Sequence, residues 1–438
     1  MLKRLSSTFI LLMLTMHQAW AVLTVEITEG VEGASPIAVV PFGWQGKGKL
    51  PQDKDVAQIV AADLQRSGLF APLPRRDMIS QPHQGSEVNF TDWRAVNVEH
   101  LVIGKVQALA NEEFQIQFQL FDVNKATQIA GYSIRSRLSG LRRTAHKISD
   151  IIYKALTGTP GAFDTLIAYV TVNRYKSGKT KYRLAVSDSD GFDEQIVLES
   201  TQPLMSPSWA PDGKRLAYVS FRNGRPEIYI QNIITRDIRK ITSFRGLNSA
   251  PVWSPDGKRL ALTLSKDGNP EIYVLDLSSN RLSRITRNYA IDTEPSWMPD
   301  GKGLVFTSDR GGSPQIYMVN IGRFGKEGRE QRLTFEGNYN ARASVSPDGR
   351  HVAFVHREQG QFRIAVLDME SQRVSVLTDS RLDESPSFSP NGRMIIYATE
   401  DNYRGVLAAV SVDGQAHQRL RFQSGDVREP AWSSFKTD

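Results

Sequence analysis

From residue 166 onward, apolar positions come in short runs of strand length, separated by turn residues. Leu260–Leu264 follows a Pro-Asp-Gly turn. A polar loop then leads to EIYV at 271–274, and a third run closes on RIT at 284–286. The same sequence of runs recurs, with EIYI (227–230) before KIT (240–242), QIYM (315–318) before RLT (332–334), and RIAV (363–366) before VLT (376–378). Ahead of each turn lies one further short run, as in PSWAPDGKRLAY (207–218), PVWSPDGKRLAL (251–262), PSWMPDGKGLVF (295–306), ASVSPDGRHVAF (343–354) and PSFSPNGRMIIY (386–397). Four short runs per unit predict four antiparallel strands, which is one propeller blade. Proline sets φ in the turn, Asp favours the next position and Gly accepts the left-handed angle that follows.

Aligned on Asp212, Asp256, Asp300, Asp348 and Asn391, the units recur at intervals of 44, 44, 48 and 43 residues. A period of this size in strand-rich units predicts a closed array. The turns account for five units, and the chain ends supply another. Residues 166–200 hold LIAYVTVN, KYRLAVSD and EQIVLES with no preceding Pro-x-Trp segment, and PAWS (430–433) is such a segment with no strands after it. The expected architecture is an α/β N-terminal domain followed by an all-β six-bladed β-propeller, closed by pairing of the C-terminal strand with the first propeller strands. Trp209, Trp253, Trp297, Val345, Phe388 and Trp432 share one register position, expected to pack blade on blade.

Residues 34–158 show no repeat. PIAVVPF (36–42) and HLVIGKV (100–106) read as strands, and FQIQFQLFDV (114–123) with TQIAGYSIRS (127–136) as a hairpin. Val56, Ile59, Val60 and Leu64 form one helical stripe, with Asp53 as its expected cap and Gly68 as its stop. Leu141, Ile148, Ile152 and Ala155 form another. TGTPGAF (157–163) supplies linker residues, and the boundaries drawn are 34–158 for the α/β domain, 159–165 for the linker and 166–438 for the propeller. Before the domain, residues 22–33 alternate apolar and polar with no partner run nearby. Such a strip either frays or adds to a sheet edge of another protein.

Composition changes the picture at two points. Met1–Ala21 carries Lys3 and Arg4, an apolar stretch from Phe9 to Met16, and Ala19-Trp20-Ala21, the pattern of a cleaved signal peptide; it is too short for a membrane span. Its removal takes the formal net charge from +7 to +5, because residues 1–21 contain no acid. There is no cysteine, so disulfides and thiolate metal sites are excluded. Charges of both signs are interspersed, which argues against nucleic-acid binding.

The sequence lacks G-x-S-x-G and H-E-x-x-H, and SGKT (177–180) lacks the upstream glycine of a phosphate loop. DSDG (188–191) reads as a turn rather than a calcium loop. Acidic pairs at Asp292 and Glu294 and at Asp383 and Glu384 stand where loops feed the innermost strands. From the residues alone they are a glycosidase pair, a cation site or polar lining of the channel. The loops expected to build the channel mouth are Leu247-Asn248-Ser249, Asp292-Thr293-Glu294, Asn340-Ala341-Arg342, Asp383-Glu384 and Arg428-Glu429. Their mixed charge suits a protein partner.

The leader, the strand-like strip, PIAVVPF, the stretch at 55–70, LTGTPGAF and the Pro-Asp-Gly repeats together resemble the TolB family, periplasmic components of the Tol–Pal system. The resemblance spans the chain in order. It implies a periplasmic binding protein with no catalytic residue, cofactor or metal. The implied partners are a Pal-like outer-membrane lipoprotein at the channel mouth and a TolA-like inner-membrane protein on the N-terminal segment: Val22, Leu23, Thr24, Val25, Glu26, Ile27, Thr28, Glu29 and Gly30. It further implies a role in outer-membrane integrity and constriction at division, no membrane span, and a monomer outside its complexes. The competing expectation is a propeller lyase or hydrolase that uses the channel carboxylates.

Overall fold

A computed structural model describes residues 25–29, 33–48, 50–322, 325–420 and 425–436. The expected leader, Val22, Leu23, Thr24 and Gly30 lie outside the described residues. The first described strand is β1 (Val25–Glu29). The N-terminal domain then contains β2 (Ser35–Val39), β3 (Gly43–Gln45), α1 (Val56–Arg66), β4 (Phe70–Pro72), α2 (Phe90–Ala95), β5 (His100–Ala108), β6 (Glu113–Asp122), β7 (Thr127–Arg137) and α3 (Leu141–Thr157). Its sheet runs β4-β2-β5-β6-β7, parallel among the first three and antiparallel thereafter, with β3 also on β5.

Alternation along β6 puts Ile116, Phe118 and Leu120 on the face covered by α1 and α3, where Val60, Leu64, Ile148 and Ile152 are fully buried. The other face packs Leu101, Ile103 and Phe121 on Trp93 of α2. The cap of α1 is Asp55, not Asp53: the Asp55 carboxylate accepts from the Gln58 N–H. Asp53 instead sits in a separate 3-10 turn, Gln52–Lys54. Gly68 follows the helix at φ +76°, as a stop requires.

The propeller begins with β8 (Leu166–Arg174), β9 (Thr180–Asp188) and β10 (Gln195–Ser200), which form one sheet with the C-terminal strand Asp426–Trp432. That strand lies antiparallel to β8, with Val427 opposite Thr171 and Trp432 opposite Ile167. We number this sheet blade 1. Blades 2 to 6 begin with the inner strands Leu204–Trp209, Asn248–Trp253, Asp292–Trp297, Asn340–Val345 and Glu384–Phe388. Each is an open meander, and no sheet closes on itself. The 48-residue interval arises in blade 4, whose outer hairpin lengthens to Gln315–Gly322 and Gly325–Arg332.

The aromatic register position joins blades, as expected. Trp209 Nε1 donates to the Ala431 carbonyl at 3.0 Å, and Trp297 Nε1 to that of Val252 at 3.2 Å, each on the preceding blade. The arginine after a Pro-Asp-Gly-Lys turn covers the next indole: Arg215 lies 4.7 Å from the Trp253 ring and Arg259 4.6 Å from that of Trp297.

The N-terminal domain rests against the propeller end that carries the Pro-Asp-Gly-type turns. The Asn391 amide donates to the Pro160 carbonyl at 3.0 Å, and Arg66 to Ser189. The expected linker is seated rather than loose: Asp150 of α3 accepts the Phe163 and Asp164 N–H groups, and Phe163, Asp164 and Thr165 are buried. Among the described residues, the N-terminal domain's contacts lie away from the opposite propeller end, where loops enter the inner strands.

Candidate functional site: the propeller channel and the leading strand

Each inner strand carries one bulge. Register shifts fall at Met205/Ser208, Ser249/Val252, Thr293/Ser296, Ala341/Ser344, Glu384/Ser387 and Arg428/Ala431. Each bulge holds a residue with positive φ: Ser206, Ala250, Glu294, Arg342, Ser385 and Glu429, between +47° and +58°. A bulge re-aims its side chain and bends the strand. These six residues line a cavity of about 450 Å³ at the centre of the ring.

Three of them carry charge. Arg342 reaches Glu294 on blade 4 at 3.3 Å and Glu429 on blade 1 at 3.5 Å. Glu294 also accepts from the Thr307 hydroxyl and the Arg342 N–H, and Glu429 accepts from the Ser206 N–H. Protein walls the channel around these three charges. Burial pushes the Glu294 carboxyl above the usual carboxylate range, against the pull of Arg342.

The residues expected at the mouth divide into two groups. Thr293, Glu294, Arg342, Glu384, Arg428, Glu429 and Leu247 keep exposed surface. Asn248, Asp292, Asn340 and Asp383 do not: each is buried. Asn248 bonds the Phe244 N–H and carbonyl. Asp292 accepts from Arg310 at 2.7 Å and from Asn288 at 2.7 Å. Asn340 bonds Gln315, the Glu336 carbonyl and His356. Asp383 is held by Thr378 and Ser380, and burial raises its carboxyl. These four positions open the inner strands and tie down the preceding loop. Asn248 and Asn340 satisfy backbone groups and Asp292 and Asp383 bind side chains, demands a linear motif does not distinguish from ligand contact.

What the sequence reading missed at this end is apolar. Phe244, Ile291, Phe335 and Leu382 are exposed on the loops that enter successive inner strands, and Tyr289 is fully exposed. Large apolar side chains on one end of a ring mark an interaction surface. Their signal was available: each sits within five residues of the start of an inner strand.

The leading strand has a partner within the chain. β1 pairs antiparallel with His417–Leu420, the outer strand of blade 6, with Val25 opposite Leu420, Glu26 opposite Arg419 and Ile27 opposite Gln418. It makes that blade five-stranded and occupies its free edge.

Metal and cofactor chemistry has little to use here. Asp63, His146 and Asp190 bring potential ligand atoms together at the domain interface, but Arg66 and Arg142 already pair with the two carboxylates. No helix among the described residues is long and apolar enough to cross a membrane.

Comparison with known proteins agrees with this geometry. Residues 23–129 match the model of the TolB amino-terminal domain and residues 153–436 that of the TolB beta propeller domain. The chain is 55% identical to the Tol-Pal system protein TolB of Nitrosococcus oceani, covering 94% of each chain. It is 54% identical to that of Thioalkalivibrio sulfidiphilus, over 99% of this chain and 98% of the relative. Among solved structures, the crystal structure of TolB from Acinetobacter baumannii superposes with a TM-score of 0.86 at 42% identity, covering 94% of this chain and all of that one.

Proposed function

This chain belongs to the TolB family, and from that membership we propose that it is a non-enzymatic periplasmic adaptor of the Tol–Pal envelope system. In this reading the free propeller end binds a Pal-like outer-membrane lipoprotein. Residues 22–33 bind a TolA-like inner-membrane protein, and the pair of contacts serves outer-membrane integrity and constriction at division. The proposed organisation is a leader at 1–21, a partner segment at 22–33, an α/β domain at 34–158, a linker at 159–165 and the propeller at 166–438.

The observation that carries the reading is the apolar rim of Phe244, Tyr289, Ile291, Phe335 and Leu382 around a channel mouth that the N-terminal domain leaves open. An apolar rim above a polar throat suits an inserted protein loop. The adaptor is favoured over a lyase or hydrolase because the channel carboxylates are committed. Glu294 and Glu429 share Arg342, while Asp292 and Asp383 are fully buried and bonded within their blades. The leading strand docked on blade 6 supports a two-state segment, seated on its own propeller or extended to a partner. Occupancy of the mouth biases that choice only when the lipoprotein binds the two states with different affinity.

Capture from an envelope extract tests the reading. The mature chain should recover a peptidoglycan-associated lipoprotein, and Tyr289→Ala with Phe335→Ala should lose it without change in melting temperature. Deletion of 22–33 should abolish TolA capture and spare the lipoprotein. Oligosaccharide turnover that depends on Glu294 would overturn the proposal.

A further inference from the structure

The two domains meet over a buried charged cluster centred on His146 of α3. Asp63 of α1 takes His146 Nδ1 at 2.7 Å, the Ser149 hydroxyl at 2.7 Å and Arg66 Nε at 3.0 Å. The other ring nitrogen points across the interface. His146 Nε2 stands 3.8 Å from Asp190, on the propeller turn that follows β9, and 4.0 Å from Asp188, the last residue of β9. It is buried and makes no hydrogen bond among the described residues. His146 and Asp63 are each 1% exposed.

Every packed element contributes charge. Besides Asp63, α1 supplies Arg66, whose guanidinium donates to the Ser189 carbonyl and hydroxyl at 3.1 and 2.8 Å. Besides His146, α3 supplies Arg142, paired with Asp190, and Asp150, turned to the linker. The chain end supplies Lys436, 3.9 Å from Asp188 but bonded to Asp164 at 2.8 Å. Arg143 also pairs with Asp164.

Both ring nitrogens face carboxylates, and a carboxylate only accepts hydrogen bonds. A neutral imidazole satisfies one side and turns a lone pair on the other. Only a protonated His146 donates toward Asp63 and toward the Asp188 and Asp190 carboxylates at once. We propose that His146 is a proton-operated clasp between the N-terminal domain and the propeller, and that losing its proton loosens the seat of β1 as well as the domain contact.

The link to β1 is short. The Arg66 carbonyl accepts from the Gln418 side chain at 2.7 Å, and Gln418 lies opposite Ile27 of β1. An α1 that shifts off Ser189 pulls on the strand against which β1 is paired. Burial works against charge on His146, but Asp63 and Asp190 outweigh it and hold the imidazole above its ordinary value. The sign follows. The clasp is complete below the ordinary histidine range and is lost as pH rises through the higher folded value.

The absence of cysteine makes the test clean. Spin labels on Lys125→Cys and Ile234→Cys, both well exposed, report the distance between domains, and amide exchange reports protection over 25–29. Between about pH 6 and about pH 9 the distance distribution should broaden, and protection over 25–29, corrected for intrinsic exchange, should fall about fivefold or more. His146→Gln should show the open distribution at both pH values. Asp188→Asn, whose amide can donate to a neutral Nε2, should remain closed at the higher pH. An unchanged distribution in the native chain overturns the clasp. So does a pH response that survives His146→Gln, or, where that variant does not fold, one that survives Asp188→Asn. Separation of the domains with undiminished protection over 25–29 overturns the coupling to β1.

Discussion

Arg342 and Glu429 stand on blades 5 and 1, with a whole blade between them in the ring, yet their side chains meet within the channel at 3.5 Å. With Glu294 on the other side of Arg342 at 3.3 Å, one guanidinium bridges carboxylates from two separate blades. Arg342→Met leaves two acids facing each other in a narrow throat. Because Arg342 and Glu294 keep 30% and 28% of their side-chain surface exposed, the expected cost is about 1–3 kcal/mol rather than that of a dry buried pair. Thermal unfolding should show the loss at neutral pH. It should shrink as pH falls, since Glu294, already raised by burial, takes up a proton early.

Trp432 tests how the ring holds its ends together. Its indole donates to the Thr165 hydroxyl at 2.8 Å, and its strand is antiparallel to β8. Trp432→Ala removes a large side chain and leaves Thr165, itself buried, without this donor. A loss of about 3–5 kcal/mol is expected. Because the weakened strand frees the edge of β8, the variant should also aggregate on heating, visible as light scattering below the native midpoint.

Asp150 should give the pH profile a slope of its own. It accepts the Phe163 and Asp164 N–H groups where the linker crosses α3, and burial pushes its carboxyl up to about 6. Between its ordinary value of 3.8 and about 6 the folded chain holds more protons at this site than the unfolded chain. Stability from this group therefore falls as pH rises through that window and is flat above it. Melting temperatures of Asp150→Asn, subtracted from those of the native chain across the window, should show the slope vanish. A parallel offset at every pH would mean that Asp150 acts only as a hydrogen-bond acceptor.

Much of the architecture was legible because it repeats. Leu260–Leu264 and its counterparts alternate at strand period, and the Pro-Asp-Gly turns mark the hairpins between them, with Gly213, Gly257 and Gly301 at φ +63° to +68°. Local rules of this kind survive into the fold. What stayed hidden depends on contacts distant in sequence. Asp292 and Glu294 are two residues apart and equally acidic, but the bulge between Thr293 and Ser296 sends Glu294 into the channel while Asp292 stays buried on Arg310. DSDG reads as a turn and is one, yet Asp188, Ser189 and Asp190 are also the propeller's share of the domain interface. The alternating strip at 22–33 left open whether it frays or adds to a sheet edge of another protein. Which edge it takes is set by strand His417–Leu420, nearly four hundred residues later.

That pairing offers a lock on the segment. Glu26 and Arg419 are direct opposites across β1 and the outer strand of blade 6. Opposed residues in an antiparallel pair have Cβ atoms about 4.5–5.5 Å apart, close enough for a disulfide after small adjustment. In a chain without cysteine, Glu26→Cys with Arg419→Cys yields one possible intramolecular bridge. Oxidised, it holds the segment on the propeller, and capture of a TolA-like partner should be lost while the lipoprotein still binds. Reduction should restore capture to the level of the Arg419→Cys single variant. A segment that must leave its seat to be bound behaves in this way, because the locked chain has no population of the competent state. Equal capture before and after reduction would show that the partner reads the segment where it lies, and the two-state reading of residues 22–33 would fall.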